Sequence, residues 1–393
     1  MNDVIVIGSN YSTALGTVRA VGMAGFGVRL LSTTQECADI IRGSRYIVKT
    51  VICEDAYEPI FRGLEELRGD DGVIPVIPTN DSSAMLLDQH AEALAAHYRF
   101  PNVRHTPGEL VALMDKLKQK QLAKACGLPV AEGRTYPASE QGLGEALSEA
   151  TYPCVTKAIA SAECIGAKDL FRICQSSRDL EEILRMAIDK KCTYILVEQL
   201  LEVEKEYATY GLAWDGKVAM PACVDTWRSG HGAHKGVTAE GMMRSSDLLG
   251  GDRAKFEDFV RATGLNGLFC IDIIESRGKF YFVEINLRYG ASGFAATMGG
   301  ANLPGMLADV LANGGAVDET VRLTSEPQFL SEKVEIDDFR VGFMSWREYK
   351  QHQQGDKVRF MRSEDDPEPW NQFRRLQARK RLARLLRGKK RRH

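Results

Sequence analysis

The chain has no long apolar run and no paired cysteine motif, and these two gaps remove whole classes of protein. In 393 residues no uninterrupted hydrophobic stretch reaches the roughly 20 residues of a membrane-spanning helix. The amino terminus, MNDVIVIGSN, runs straight into a strand-like segment, without the basic, apolar and cleavage regions of a secretory signal. Nine cysteines are scattered, odd in number and without a C-x-x-C pair, which argues against a disulfide frame and a zinc ribbon. Cys154, Cys223 and Cys270 lie in apolar strand-like segments and read as small buried residues of a reduced compartment. The expected location is the cytoplasm. An internal repeat and the G-x-G-x-x-G fingerprint are also missing, so the first strand and helix make only a weak case for a dinucleotide site.

What is present suits a globular protein of two or three domains with ordinary cores, at 44% hydrophobic content. The net charge of −2 hides an asymmetry: Arg374 to His393 carries eleven Lys or Arg and no acid, so the rest of the chain is acidic. That tail interleaves Phe373, Leu376, Leu382, Leu385 and Leu386 with arginines at partly helical spacing. It reads as a basic amphipathic helical tail for the anionic inner face of a membrane, ahead of a solvated end and, last, nucleic acid.

DVIVIGS, the helical YSTALGTVRAVGM and the strand-like GVRLLST make a β-α-β start of the doubly wound kind. In GVIPVIPTNDSSAMLLDQHAEAL a buried strand, a polar turn at Thr79, Asn80 and Asp81, and a helix follow one another. Such a turn lies where parallel sheets bind ligands, and Asn80 or Asp81 reads equally well as a helix N-cap. After the stop at Gly127-Leu128-Pro129 the order changes to antiparallel hairpins and helices. The expected division is an α/β N-terminal domain over 1–108 and an α+β domain over 109–320, with lobes of about 125–200 and 201–320. An extension over 321–370 and the basic tail over 371–393 follow.

The chemistry concentrates in FVEINLRYG, where Glu284, Asn286 and Arg288 fall on one face of a strand at two-residue spacing. Either the face is solvated, or a divalent ion with phosphate satisfies it, because unpaired charges in a core are costly. Asp272 in FCIDII lies on the partner strand across the Arg277-Gly278 turn, so pairing brings three oxygen ligands together. Lys157 ends the apolar strand YPCVTK, where a buried ammonium needs an anion, and Glu198 closes YILVEQ in the same way.

Taken in order, SRY at 44–46, IPTNDS at 77–82, DKLKQKQLAKACGLPV at 115–130, YPCVTK, VEQLL at 197–201, Glu206, and Asp272 followed by EINLR resemble the ATP-grasp superfamily, specifically its carboxylate-amine ligases, over roughly residues 1–315. The resemblance implies an α/β N-terminal domain joined to an α+β ATP-grasp fold, and an ADP-forming C–N ligase working through an acyl phosphate. It implies that Lys116 and Lys157 hold ATP phosphates, a solvated surface charge being the rival for Lys116, under a turn containing Ala158, Ala160 and Ser161. Glu198 with the backbone of Gln199, Leu200 and Leu201 would meet adenine, and Glu206, with Glu204 as rival, the ribose. Asp272, Glu284 and Asn286 would hold two Mg²⁺ ions, or Mn²⁺ in their stead, and Arg288 would steady the transferred phosphoryl group. The sequence departs from the family pattern in three places: a single glycine, Gly166, in the turn after Lys157, Tyr210 for an acid, and Leu287 for a proline. The Gly/His-rich loop RSGHGAHKGVTAEG makes Arg228, His231 and Lys235, with Asn80, Asp81 and Arg288, the expected substrate contacts. His231 and His234 have no third ligand in register, which argues against zinc. GAKDLFRI and IPTNDS are similar to D-aspartate ligases, implying an amino acid as the carboxylate donor. A catalytically idle nucleotide-binding protein, tethered by its tail, is the alternative.

Overall fold

Three sheets carry the structure, which is a computed structural model describing residues 3–69, 72–158, 170–234 and 236–390, with the side chains of 158, 233 and 381–390 excepted. The first sheet is parallel and ordered β3-β2-β1-β4-β5, from β1 (Asp3–Gly8), β2 (Gly27–Ser32), β3 (Ile47–Ile52), β4 (Ile74–Pro78) and β5 (Tyr98–Arg99). Its central strands are apolar on both faces because both are covered. Val4 and Val6 pack with Leu15 and Val18 of the helix Tyr11–Met23, whereas Ile5 and Ile7 pack against Ile60 and Leu64 of the helix Tyr57–Arg68. The polar turn at the end of β4 is a cap: Asn80 Oδ1 accepts from the Ser83 amide at 2.8 Å and starts the helix Asp81–Gln89.

After the short β6 (Asn102–Val103), a four-stranded antiparallel sheet forms in the order β7-β10-β8-β9. Its strands are β7 (Gly133–Pro137), β8 (Cys154–Ala158), β9 (Arg172–Cys174) and β10 (Tyr194–Gln199). Cys154, Ile195 and Val197 face the helices Glu140–Glu149 and Ser177–Asp189, so the alternate residues Lys157, Leu196 and Glu198 face away from that core.

The largest sheet runs β15-β14-β11-β12-β13-β16-β17, with β6 paired to the start of β14. It is built from β11 (Lys205–Trp214), β12 (Lys217–Ser229), β13 (Thr238–Ser245), β14 (Leu265–Ser276), β15 (Lys279–Asn286), β16 (Gln328–Leu330) and β17 (Val358–Arg359). The two tight hairpins turn at Asp215-Gly216 and Arg277-Gly278, all four residues with positive φ. One face packs on the helix Asp252–Thr263 through Phe269, Phe256 and Phe259, and the other joins the first sheet through Leu212, Val224, Leu268 and the helix Leu303–Asn313.

The segment after 320 is woven into this architecture. Arg19, 1% exposed, donates from Nε to Asp366 Oδ2 at 2.9 Å, and from Nη1 and Nη2 to the carbonyls of Phe360, Met361 and Asp366 at 2.9–3.0 Å. Ser44 Oγ and the Arg45 amide also donate to the Asp366 carboxylate, at 2.8 and 2.9 Å. The SRY motif thus clasps the carboxy-terminal segment.

One expectation needs correction. The tail is helical, within Glu368–Lys390, but Phe373 is 1% exposed against Tyr11 and Trp370, and Leu376 packs beside the same core. Two of the five apolar residues credited to a membrane-facing stripe therefore cover the protein itself. Seven cysteines, Cys154, Cys223 and Cys270 among them, are free thiols. Among the described residues no helix is long and apolar enough to cross a membrane.

Candidate active site

A cleft of about 510 Å³ opens between the four-stranded sheet and the large sheet. Lys116, Lys120, Lys157, Leu196, Glu206, Thr226, Thr238, Asp272 and Glu284 are among the residues that line it. The lysines arrive by simple local rules. Asp115 accepts from the amides of Leu117 and Lys118 at 2.8 and 3.0 Å, capping the helix Lys116–Ala125. Positions 116, 119 and 120 then share one helix face. Gln119 makes a two-way amide contact with the backbone of Ile285, donating to its carbonyl at 3.1 Å and accepting from its amide at 3.2 Å. This pins the helix to β15 and sets Lys116 Nζ 2.6 Å from Glu284 Oε2.

Beside this helix β14 and β15 pair Cys270 with Asn286 and Asp272 with Glu284, just before a register shift that follows Asp272. Residues directly opposite in an antiparallel pair share a face, so the two carboxylates stand together. Asn286 Nδ2 donates to Asp272 Oδ2 at 3.2 Å. Burial, then the charge of Glu284, push the Asp272 carboxyl up to about 7. Two hard carboxylates that repel each other, with an amide oxygen beside them, fit a magnesium ion. Among the described residues there is no cluster of three or more His, Cys, Asp or Glu side chains with metal-ligand geometry, so the set here is two carboxylates plus Asn286.

Glu198, 3% exposed, is ion-paired to both Lys120 and Lys157. Its carboxylate is thus taken by lysines, and the Gln199 amide donates to the Glu132 carbonyl at 2.8 Å, while Leu200 and Leu201 follow the end of β10. Lys120 was missing from the expected set. Its signal was the four-residue spacing from Lys116, hidden in a basic run that reads as a solvated face. Burial holds its ammonium below the ordinary lysine range, with Glu198 opposing.

Glu206 borders the cleft, where Ser229 Oγ donates to its carboxylate at 3.1 Å. Its rival Glu204 accepts instead from the Arg277 amide at 2.9 Å, bracing the β14–β15 turn. Arg288 lies beyond the end of β15, not on it, and its Nε donates to Asp81 Oδ1 at 2.7 Å, bridging the large sheet to the first domain. Tyr210, where an acid was expected, is buried against Tyr289 with its hydroxyl pushed well above the usual range by burial, so it contributes no charge.

Three expected substrate contacts are engaged elsewhere. Arg228 is ion-paired to buried Glu335. His231 meets Asp338, with 3.0 Å between Nδ1 and Oδ2, and stacks on Phe343, while His234 meets Asp337 at 3.0 Å. Arg228, His231 and His234 are therefore held by the helix Glu332–Val341, because that helix presents Glu335, Asp337 and Asp338 to them. Asn80 is a helix cap whose amide donates to Ser9 Oγ at 3.1 Å. Ala160, Ser161, Gly166 and Lys235 lie outside the described residues, as does the first half of GAKDLFRI.

Solved structures share this architecture. The biotin carboxylase–βγ-ATP complex of Campylobacter jejuni aligns with TM-score 0.66 at 17% identity, over 84% of this chain and 75% of that one. L-amino acid ligase from Bacillus licheniformis gives 0.62 at 15%, over 84% and 79%. N5-carboxyaminoimidazole synthetase from Staphylococcus aureus, complexed with ADP, gives 0.64 at 14%, over 91% and 90%. The chain has the ATP-grasp fold. No protein-family model and no curated protein sequence matches it.

Proposed function

We propose that the chain is an ATP-dependent, ADP-forming carboxylate-amine ligase. A substrate carboxylate oxygen attacks the γ-phosphorus of ATP, the bond to the β-phosphate oxygen breaks and ADP leaves. The amine then attacks the acyl carbon, the carbon–oxygen bond to phosphate breaks, and the amine proton passes to solvent. The observation that carries this reading is the convergence of Lys116, Lys157, Asp272 and Glu284 on one cleft.

Lys116 and Lys157 bind the phosphates, and Glu206 takes the ribose hydroxyls, since Glu204 is committed to the hairpin turn. The backbone of Gln199, Leu200 and Leu201 meets the adenine edge, and Glu198 acts through its lysines and not on the base. Asp272, Glu284 and Asn286 hold magnesium, which supplies charge neutralisation at the phosphates when bound. Arg288, whose guanidinium is held by Asp81, is assigned to the transferred phosphoryl group.

An amino acid is the proposed carboxylate donor, and the L-amino acid ligase among the structural neighbours supports that class. The test is phosphate release from ATP and Mg²⁺ by the full chain, with each amino acid and pooled amine acceptors. Release that requires one acid and one amine supports the ligase; release that ignores both makes the chain an ATPase. A cytoplasmic location and contact of the basic helix with an anionic lipid surface are separate proposals. Sedimentation with phosphatidylserine vesicles, absent with phosphatidylcholine alone, supports the lipid contact.

A further inference from the structure

Resting on the ligase reading, we infer that Lys120 is a positioning residue: it keeps Glu198 neutralised so that Lys157 stays free for the phosphates of the nucleotide. Glu198, its side chain 2% exposed, stands between two ammonium groups, so this trio carries one surplus positive charge in the cleft wall. The surplus belongs to Lys157. Its side chain is 23% exposed, against 10% for Lys120, and it shares the cleft-facing side of β8 and β10 with Leu196.

Consider the cleft without Lys120. Lys157 and Glu198 would then form a one-to-one pair, and drawing Lys157 onto a phosphate would strand a buried carboxylate with no counter-charge, which is strongly unfavourable. With Lys120 in place, Glu198 keeps a partner after Lys157 leaves. The Gln119 contacts with Ile285 fix the helix that delivers Lys120, so the arrangement is built in before nucleotide arrives.

Lys120→Met tests this. The side chains are similar in volume and Glu198 retains Lys157, so no buried charge is orphaned and the variant folds. Calorimetric titration with ATP and Mg²⁺ reads the affinity, and a thermal scan of each variant controls for folding. Lys120→Met is expected to raise the Kd about tenfold or more, the factor carried by one charge-assisted contact. Lys120→Arg leaves it within about twofold of the unaltered chain. The decisive variant is Lys120→Met with Glu198→Gln, in which the neutral amide no longer holds Lys157. Its Kd returns to within about twofold of the unaltered chain. A purely structural role for Lys120 would show in the thermal scan and leave the Kd of the folded variants unchanged. The inference is overturned by a Kd for Lys120→Met equal to that of the unaltered chain, or by a double variant as weak as the single one. If the unaltered chain itself fails to bind ATP, the ligase reading falls and takes this inference with it; if it binds and Lys120→Met binds equally, only the role of Lys120 falls.

Discussion

Replacing Glu284 by Gln changes the proposed metal site by one charge and almost nothing in shape. Two opposing effects follow. The site loses one of two facing carboxylates, and a charge-assisted contact of this kind contributes ~1.5–3 kcal/mol. Lys116 loses its 2.6 Å partner and becomes freer to meet phosphate, but that pair is 38% and 27% exposed, so the gain is at most ~1 kcal/mol. Loss wins, and nucleotide with magnesium should bind about tenfold more weakly. The assay is thermal or urea unfolding with and without ATP and Mg²⁺. At a ligand concentration of about 100 times the Kd of the unaltered chain, binding adds ~2.7 kcal/mol to its stability. A tenfold weaker variant gains ~1.4 kcal/mol at the same concentration. Equal stabilisation of both proteins would refute the assignment of Glu284, whatever the fold.

Other outcomes are expected from the same geometry. Arg19→Met should cost ~3–5 kcal/mol in urea unfolding, because it strands the buried Asp366 carboxylate and three carbonyls; Arg19→Met with Asp366→Leu should be markedly less damaging, and equal losses would contradict the clasp. Magnesium should raise the unfolding midpoint more at pH 8 than at pH 5. The raised Asp272 carboxyl, at about 7, favours the protonated form in the folded metal-free chain, so below that pH a proton competes with the ion, and above it the unfavourable charge awaits a cation. Glu206→Ala should weaken ATP binding about tenfold, whereas Glu204→Ala should leave it unchanged and cost at most ~1–2 kcal/mol of stability through the hairpin turn; calorimetry and urea unfolding separate the two.

Local chemistry was readable from the residues. The continuous apolar run of DVIVIG, the cap-and-helix of DKLKQK and the hairpin at Arg277-Gly278 each specify their own structure, and pairing of β14 with β15 then forces Asp272 beside Glu284. What escaped depends on distant partners. The histidines of the 229–236 loop look available until Asp337 and Asp338 arrive, the latter 107 residues after His231. Phe373 and Leu376 look like a membrane stripe until Tyr11 and the first domain cover them. Arg228 looked free for the same reason, since Glu335 is buried on a helix that composition does not link to it. Lys120 escaped differently: lysines in a charged helical run are usually solvated, and only the seat of Glu198 below it shows that this one is not.

The central claim is that this cleft takes up a nucleotide triphosphate through magnesium. Titrating ATP into the full chain by calorimetry, with Mg²⁺ and then with the metal chelated, tests it most directly. The account predicts one site per chain whose affinity falls sharply on chelation. Heat of binding absent in both titrations, or identical in both, would contradict it.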